Sequence, residues 1–255
     1  MPDPETEALA AYWRFFEGGN TADSLLFTET LHFPHVRVSG RGGAHVVPDA
    51  ETHARNNSFA SLFAMGWDHT VGADPEILHV ASDKVHIQGG WTRYTKDNEP
   101  IISNSVVYIA TLLGGRWGIQ ARFGIDQSLD GPTTDRTAAE AADGALEGNA
   151  RTAQRLVRSA LESAGEPPGT GGLFHYPYLA IHPGRIDSIA DQSGLQQYWQ
   201  QSKTRVTEAR AVQVGATGVS VAFRTESPGE RLAGVFFVRL EGDAWGIKSG
   251  SAVVA

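Results

Sequence analysis

Hydrophobic residues near the start of the chain recur at helical spacing. They stand at positions i, i+3, i+4 and i+7, which predicts one apolar face of a helix that ends at Gly18-Gly19. These positions are Leu9, Tyr12, Trp13 and Phe16. The same pattern predicts a short second helix carrying Leu25, and a third helix over about 50–65 whose apolar stripe includes Phe59.

Runs of β-branched and aromatic residues predict strands after these helices. An early strand over 31–38 contains Pro34, which favours an edge position or a bulge because proline has no N–H to donate. Four strands follow, and Asp97-Asn98 and Gly114-Gly115 predict hairpin turns between them. The four strands span 67–80, 84–95, 101–112 and 116–124.

The second half of the chain repeats this order of elements. A helix over 146–160 precedes a strand over 173–182 and a short helix that carries Leu195. Four more strands are predicted over 204–214, 217–225, 231–240 and 244–254. Helices followed by a run of antiparallel strands are typical of the α+β class.

Two pairs of matching segments favour a tandem duplication. Residues 31–38 read Leu-His-Phe-Pro-His-Val-Arg-Val, and residues 174–181 read Phe-His-Tyr-Pro-Tyr-Leu-Ala-Ile. In each half a strand valine (Val107 or Val235) also precedes a Trp-Gly pair by ten residues. We therefore interpret the chain as two copies of one unit.

A change in composition separates the two copies. Residues 127–145 contain almost no large apolar side chain, which predicts a linker. The sequence therefore predicts one domain over 1–126 and a second, diverged domain over 146–255.

Composition narrows the possible functions. Hydrophobic residues make up 41% of the chain and charged residues 20%, which is ordinary for a globular protein. The absence of cysteine excludes disulfides, thiol nucleophiles and cysteine-ligated metals. A net charge of −8 argues against nucleic acid and anionic membranes as partners. With no apolar run of roughly 18 residues and an acidic, polar N-terminus, a soluble cytoplasmic protein is expected.

The order of elements resembles the NTF2-like superfamily, and the first domain resembles its SnoaL-like branch. The segments that carry the resemblance are Phe33-Pro34-His35-Val36-Arg37, Trp67-Asp68-His69, Ser82-Asp83-Lys84-Val85-His86, Thr92-Arg93-Tyr94 and Gly115-Arg116-Trp117-Gly118-Ile119-Gln120-Ala121-Arg122. The resemblance covers about residues 5–126, and in the second domain it covers only the early strand and the last hairpin. It implies two cone domains, each a curved, mostly antiparallel sheet wrapped around helices. Relatives include isomerases, dehydratases, cyclases and lyases as well as binding modules, so fold alone does not assign function.

Histidines concentrate in the first half, which holds seven of the nine. Because histidine transfers protons near neutral pH, the first domain is the expected reactive half. His32 and His35 flank the early proline, near the place where the family's isomerases carry an aspartate base; Phe33 precedes the proline here, so a ketosteroid isomerase is not expected. His175 recurs at the His32 position in the second copy, whereas Tyr178 replaces His35, so His35 is the candidate base.

Further acid–base candidates stand on the later strands. Asp68 and His69 open the predicted strand over 67–80, and alternation puts them on opposite faces, so no dyad between these neighbours is expected. One of the two is expected to face the pocket. His86 and Tyr94 share a face of the next strand, on which either could orient a ligand.

Two arginines and several aromatic residues are candidates for substrate binding. Arg122 on the last strand, or Arg37 on the early one, would suit a carboxylate, a phenolate or a developing enolate. The aromatic candidates are Tyr12, Trp67, Tyr94 and Tyr108. Core packing explains Tyr12 and Trp67 equally well.

The sequence favours a cofactor-independent lyase, isomerase or cyclase acting on a small aromatic, polyketide-like or terpenoid substrate. Dehydration, retro-aldol elimination or a proton shift would begin with proton abstraction by His35, His69 or His86, and Arg122 or Tyr94 would stabilise the resulting oxyanion. The alternative is a non-catalytic module that binds a small ligand or a partner.

No cofactor and no metal are expected. His32 and His35 with His69 or His86 could gather three imidazoles, but no carboxylate stands at a recognisable metal-ligand spacing. The expected partner is a small molecule, with the two domains paired within the chain as a pseudo-dimer or the chain forming a homo-oligomer.

Overall fold

The computed structural model describes residues 3–40, 42–125, 136–163, 172–199 and 204–254. These residues fall into two compact units. Unit 1 contains 3–39 and 43–125, and unit 2 contains most of the described residues after 136. Each unit has one mixed sheet with helices, which confirms the predicted α+β class.

The described residues of unit 1 form four helices, three of which begin at an aspartate cap. The helices are α1 (Pro4–Asn20), α2 (Ser24–Glu29), α3 (Ala50–Asn56) and α4 (Ala60–Ala64). The carboxylates of Asp3, Asp23 and Asp49 accept hydrogen bonds from backbone N–H groups of the first turns of α1, α2 and α3, groups that have no partner within the helix.

The sheet of unit 1 has seven strands in the order β2-β1-β7-β6-β5-β3, with β4 also paired to β5. The strands are β1 (Leu31–Ser39), β2 (Gly43–Val47), β3 (His69–Gly72), β4 (Glu76–Val80), β5 (Lys84–Tyr94), β6 (Pro100–Leu113) and β7 (Arg116–Gly124). All pairs are antiparallel except β1 with β7, the first strand with the last.

Pro34 marks a bulge in β1. Leu31 pairs with Ile119, and the next paired residue, Val36, aligns with Ala121, so β1 carries extra residues between them. The peptide bond between Phe33 and Pro34 is cis. Of the two predicted alternatives, an edge position or a bulge, the structure has the bulge, and β2 and β7 flank β1 on either side.

The core of unit 1 lies between α1 and one face of the sheet. The apolar side of α1 packs against β5, β6 and β7 through Tyr12, Phe15, Phe16, Val85, Ile87, Val106, Tyr108 and Ile119. Each fully buried side chain of this size contributes about 2 kcal/mol through loss of apolar surface to water. We call this sheet surface the inner face.

Unit 2 has the same strand order as unit 1. Its elements are α5 (Arg136–Glu162), β8 (Phe174–His182), β9 (Arg185–Ile189), α6 (Gln192–Tyr198), β10 (Arg205–Val214), β11 (Gly218–Ser227), β12 (Glu230–Glu241) and β13 (Ala244–Val254). The sheet order is β10-β11-β12-β13-β8-β9, and β8 pairs with β13 in parallel, as β1 does with β7. A tandem duplication predicts this correspondence.

In each half, the recurring histidine packs against the glycine of the Trp-Gly pair of the same half. A Cβ at Gly118 would lie 3.0 Å from the ring of His32, and one at Gly246 would lie 2.8 Å from the ring of His175. His32 Nδ1 pairs with the Thr111 hydroxyl at 2.9 Å. These contacts support the structural role expected for His32.

Several predicted boundaries differ from the structure. The third helix is two helices, α3 and α4, and the strand over 67–80 is two strands, β3 and β4. The short strands β2 and β9 were not expected. Helix α5 begins at Arg136, inside the predicted linker, whose residues 127–135 lie outside the described part of the chain. In the described residues, no helix is both long enough and apolar enough to cross a membrane.

Substitution of Gly89 will destabilise unit 1. A Cβ there would lie 2.6 Å from the Tyr12 hydroxyl oxygen and 3.0 Å from a ring carbon, so the buried Tyr12 ring, or α1 with it, must move away from β5. We expect Gly89→Ala to lower the free energy of unfolding by about 2 kcal/mol, the usual cost of overpacking a core, as measured by urea denaturation.

Gly144→Ala is the matched control. Gly144 lies in α5, and no described atom comes within 4 Å of the point that a Cβ would occupy, so alanine should stabilise the helix by about 0.5–1 kcal/mol. Equal unfolding midpoints for Gly89→Ala and the unsubstituted chain would contradict the packing described for Tyr12.

Candidate functional site

Three arginines project from the inner face of the unit 1 sheet. Strand register places Arg37 of β1 beside Arg122 of β7, and Arg122 beside Tyr108 of β6. Arg93 of β5 lies two residues after Trp91 and therefore on the same face, with its Cζ 4.5 Å from the Trp91 ring centre. We call Arg37, Arg93 and Arg122 the arginine cluster.

The arginine cluster has no acidic counterion in the part of unit 1 that the structure describes. Burial first, and then the charges of Arg37 and Arg93, lower the pKa of Arg122 to about 9. The Arg122 guanidinium lies 5.0 Å from the Phe15 ring centre, in the geometry of a cation–π contact. Arg122 is still charged at neutral pH, so the cluster can attract an anion.

His35 orients Arg122. Its Nδ1–H donates to the Ile119 carbonyl at 3.1 Å, which leaves Nε2 to accept a hydrogen bond from Arg122 Nε at 3.3 Å. Burial, then the charge of Arg122, holds the pKa of His35 well below its ordinary value. Because both ring nitrogens are engaged, His35 is a positioning residue rather than the base that the sequence suggested.

His53 of α3 has one ring nitrogen engaged in a hydrogen bond. The Thr28 hydroxyl donates to the Ser24 carbonyl at 2.6 Å and accepts from His53 Nδ1 at 2.7 Å. This fixes the tautomer and leaves the lone pair of Nε2 available. Burial, followed by the charges of Arg122 and Arg37, lowers the pKa of His53 to about 4, so the ring is neutral at neutral pH.

Two buried polar atoms beside the cluster have no partner among the described residues. They are the Tyr108 hydroxyl and the side-chain oxygen of Asn104, both on β6. Tyr108 is fully buried, and burial raises its pKa well above the ordinary value, so it stays protonated and can donate. A buried donor left unpaired in a native structure indicates a place for a ligand or an unseen partner.

Tyr12 and Trp67 are tied to the surrounding backbone and core. The Tyr12 hydroxyl donates to the Ala73 carbonyl at 2.6 Å. Trp67 Nε1 donates to the Thr70 hydroxyl at 2.9 Å, and its ring stacks on Phe59. Core packing, the alternative left open by the sequence, therefore accounts for both.

His86 lies on the opposite face of the sheet. It alternates with the core residues Val85 and Ile87 along β5, and its Nδ1 lies 3.2 Å from that of His79. Burial, then the neighbouring His79, holds the pKa of His86 well below its ordinary value. Strand geometry thus separates His86 from the arginine cluster.

Asp68, His69 and Tyr94 form a separate group. His69 Nδ1 lies 3.0 Å from the Asp68 carboxylate, and its ring stacks on Tyr94 at 5.4 Å. The expectation that these neighbours form no dyad is wrong, because Asp68 precedes β3 and strand alternation does not apply to it. Tyr94 follows Arg93 directly and projects from the other face of β5.

The structure thus brings together four of the residues predicted from the sequence, His35, Arg37, Tyr108 and Arg122. It separates them from His69, Asp68, His86 and Tyr94. Sequence analysis missed His53 and Arg93. Alternation along β5 puts Arg93 on the same face as Trp91 and could have identified it. His53 stands in a predicted helix that is two helices in the structure, so no spacing in the sequence indicated its position.

Within the described residues, no group of three or more histidine, aspartate and glutamate side chains is placed to hold a metal. His32 contacts Thr111, whereas His35 contacts Arg122, so the two histidines that flank the bulge do not converge.

Comparisons with known proteins bear on the fold. No family model matches the chain, and no curated protein matches it. Similar solved structures include a domain of unknown function with a cystatin-like fold from Nostoc punctiforme, with 14% identity, a TM-score of 0.42, and coverage of 64% of this chain and 97% of that chain. A ketosteroid isomerase-like protein from Erwinia carotovora atroseptica has 16% identity, a TM-score of 0.39, and coverage of 49% and 97%.

An NTF2-like protein with a cystatin-like fold from Novosphingobium aromaticivorans has 11% identity, a TM-score of 0.40, and coverage of 53% and 87%. These three solved structures are described as cystatin-like, ketosteroid isomerase-like and NTF2-like. At this level of similarity they assign no activity to the chain.

Removal of the Tyr108 hydroxyl will stabilise the fold. Because this buried donor has no partner among the described residues, Tyr108→Phe removes a desolvation cost, and we expect the free energy of unfolding to rise by about 1 kcal/mol in urea denaturation. Tyr12→Phe is the matched control: it deletes a hydroxyl that does donate, so it should lower the same quantity by about 1 kcal/mol. A loss of stability in Tyr108→Phe would show that its hydroxyl has a partner.

The buried histidines will make stability depend on pH. The pKa values of His32 and His53 fall from 6.5 to about 4 on folding, so the unfolded chain binds more protons in this range. The free energy of unfolding should therefore decrease as the pH falls from 6.5 towards 4. Urea midpoints at pH 7 and pH 5 measure this decrease.

His53→Asn should flatten this pH dependence, because the asparagine amide can still donate to Thr28 but has no group that gains a proton. The control is His45→Asn at an exposed position of β2. An equal pH dependence in His53→Asn and in the unsubstituted chain would contradict the depressed pKa.

Proposed function

We propose that unit 1 is a cofactor-independent lyase or isomerase that acts by acid–base chemistry on a small aromatic substrate whose oxygen is, or becomes, negatively charged. The observation that carries this proposal is the convergence of three arginines without a described acidic counterion on a face with an unpartnered, buried tyrosine hydroxyl. Donors fixed in place before the reaction stabilise charge that develops in a transition state.

Each residue of the site has a distinct role in this proposal. His53 Nε2 removes a proton from the carbon next to a carbonyl group. The electrons of the C–H bond move onto the carbonyl oxygen, and Arg122 and the Tyr108 hydroxyl stabilise the resulting enolate. His35 holds the Arg122 guanidinium in position for this contact.

Two outcomes can follow from the enolate. In an isomerisation, protonated His53 returns the proton to a different carbon of the substrate. In an elimination, the enolate electrons reform the carbonyl and expel a hydroxyl group from the β-carbon, and the His53 proton leaves with it as water. Both outcomes balance without a cofactor.

The charge environment suits this cycle. His53 is neutral at neutral pH because burial and the charges of Arg122 and Arg37 lower its pKa. An anionic enolate beside Arg122 offsets the repulsion from the arginines, so His53 gains basicity as the proton moves. Once the enolate is consumed, the same arginines favour release of the proton.

Aromatic side chains around the cluster favour an aromatic substrate. Phe15 and Trp91 already contact Arg122 and Arg93, and the rings of Phe27 and Phe33 lie 5.7 and 5.8 Å from His53. Rings of this kind pack against a planar ligand, while the arginines bind its charged oxygen. Among the substrate classes expected from the sequence, these contacts favour aromatic and polyketide-like compounds over terpenoids.

One observation favours the second candidate function, a module that binds an aromatic anion without reaction. His35 has both ring nitrogens engaged, and His53 has a pKa of about 4 before a ligand binds, which makes it a weak base. Binding requires only the arginines and the aromatic rings.

Proton exchange distinguishes the two functions even though the natural substrate is not identified. The full chain is incubated in D2O with aryl β-keto acids and aryl ketones that carry an acidic α-hydrogen, and α-deuteration is followed by NMR. We expect catalysed exchange, with His53→Asn lowering its rate at least 100-fold while ligand affinity stays within about threefold. Arg122→Gln should lower both, the rate by roughly 100-fold or more.

The matched control is Arg55→Gln, which removes an exposed arginine of α3 whose described ion pair is with Glu51. It should change neither exchange nor affinity. Binding of the aryl acids without exchange would replace the enzyme by the binding module. Neither binding nor exchange, in a chain that remains folded, would overturn both functions.

A further inference from the structure

Unit 2 has a partly open cavity of about 120 Å³ on the corresponding face of its own sheet. Its walls come from α5, α6 and strands β8, β11, β12 and β13. An apolar cavity of similar size, roughly 150 Å³, is known to hold a benzene ring. The volume therefore suits a ligand with a single ring.

Strand register identifies this cavity as the counterpart of the arginine cluster. In unit 1, Arg122 aligns with Arg37 on one side and with Tyr108 on the other. In unit 2, Gly250 aligns with Ala180 on one side and with Phe236 on the other, again across a parallel and an antiparallel pair. All three of these unit 2 residues line the cavity.

The residues at these positions differ in charge and size. Glycine and alanine replace the two arginines, phenylalanine replaces Tyr108, and Tyr178 stands where the repeat has His35. No arginine, lysine, aspartate or glutamate belongs to the lining within the described part of unit 2. An anion would lose its hydration there without a compensating charge, so the cavity disfavours charged ligands.

Two donor groups belong to the lining, and one of them has no hydrogen-bond partner in the described residues. Trp199 Nε1 is buried without an acceptor. The Tyr178 side chain is 3% exposed, and burial raises its pKa well above the ordinary value, so its hydroxyl stays protonated and can donate. By contrast, His182 and Tyr198, also in the lining, pair with each other at 2.7 Å.

We propose that unit 2 is a second ligand site, which binds a neutral molecule with one aromatic ring and a carbonyl oxygen. The ring packs against Phe236 and Phe223, which lie 4.8 Å apart, and against Trp199. The carbonyl oxygen accepts from the Tyr178 hydroxyl and from Trp199 Nε1. This site is independent of the function proposed for unit 1.

Three probes of nearly equal shape test the proposal. Acetophenone is neutral with a carbonyl oxygen, ethylbenzene lacks the oxygen, and benzoate is charged. Titrations of the full chain, followed by ¹H–¹⁵N NMR shifts of unit 2, should show acetophenone binding about tenfold more tightly than ethylbenzene, because two buried donors gain an acceptor. Benzoate should produce no shifts in unit 2.

Two variants assign the contacts. Tyr178→Phe and Trp199→Phe each remove one donor and should weaken acetophenone binding about three- to tenfold, while ethylbenzene binding stays unchanged or improves. Trp245→Phe is the matched control, because Trp245 lies in unit 2 outside the cavity lining. It should leave both affinities unchanged.

Other results would overturn the proposal. No shifts with acetophenone at millimolar concentration, in a chain whose spectrum is that of a folded protein, would show that unit 2 does not bind such ligands. Equal affinities for acetophenone and ethylbenzene would remove the role of the two donors. Benzoate binding in unit 2 that Arg122→Gln leaves intact would show that the cavity accepts anions.

Discussion

The parallel pairing between the first and last strands of each sheet is the constraint on which the rest of the structure depends. In unit 1 it sets Arg37 of β1 beside Arg122 of β7. The bulge around Pro34 shifts the register of this pair, so that the ring of His35 reaches the Ile119 carbonyl and then Arg122. A regular pairing would align other residues and would separate the histidine from the guanidinium it orients.

The arginine cluster formed in this way is costly to the fold. Like charges repel, and partial burial removes water from the guanidinium groups, which is why the pKa of Arg122 falls to about 9. Contacts with Phe15 and Trp91 offset part of this cost. Burial and the arginine charges also lower the pKa values of His35 and His53, so both rings are neutral at neutral pH. A cluster of this kind is explained by a negatively charged ligand better than by stability, because the free chain gains nothing from unpaired charge.

The two units share one framework but differ in the residues of the inner face. The two units share the strand order and the histidine–glycine packing. The histidine–glycine contacts lie away from the inner face. On the inner face, the paired positions carry Arg37 and Arg122 in unit 1 but Ala180 and Gly250 in unit 2. In unit 2, the small residues leave a cavity whose described lining has no arginine, lysine, aspartate or glutamate. In unit 1, the two arginines at these positions present a cationic surface. In both proposals, side-chain size and charge at a few aligned positions therefore determine the preferred ligand.

The sequence alone determined the α+β class, most strands, the repeated order of elements and the concentration of histidine in the first half, because hydrophobic period and turn residues act over short distances along the chain. It also identified His35, Arg37, Tyr108 and Arg122 as candidates. Only the tertiary structure decided which candidates meet. Periodicity tells which residues share a face of one strand, but not which face receives α1, so His86 and Tyr94 were grouped with residues of the opposite face. The positions of His53 and Asp68 depend on breaks in regular structure, one after α3 and one at the start of β3. Spacing rules do not extend across such breaks.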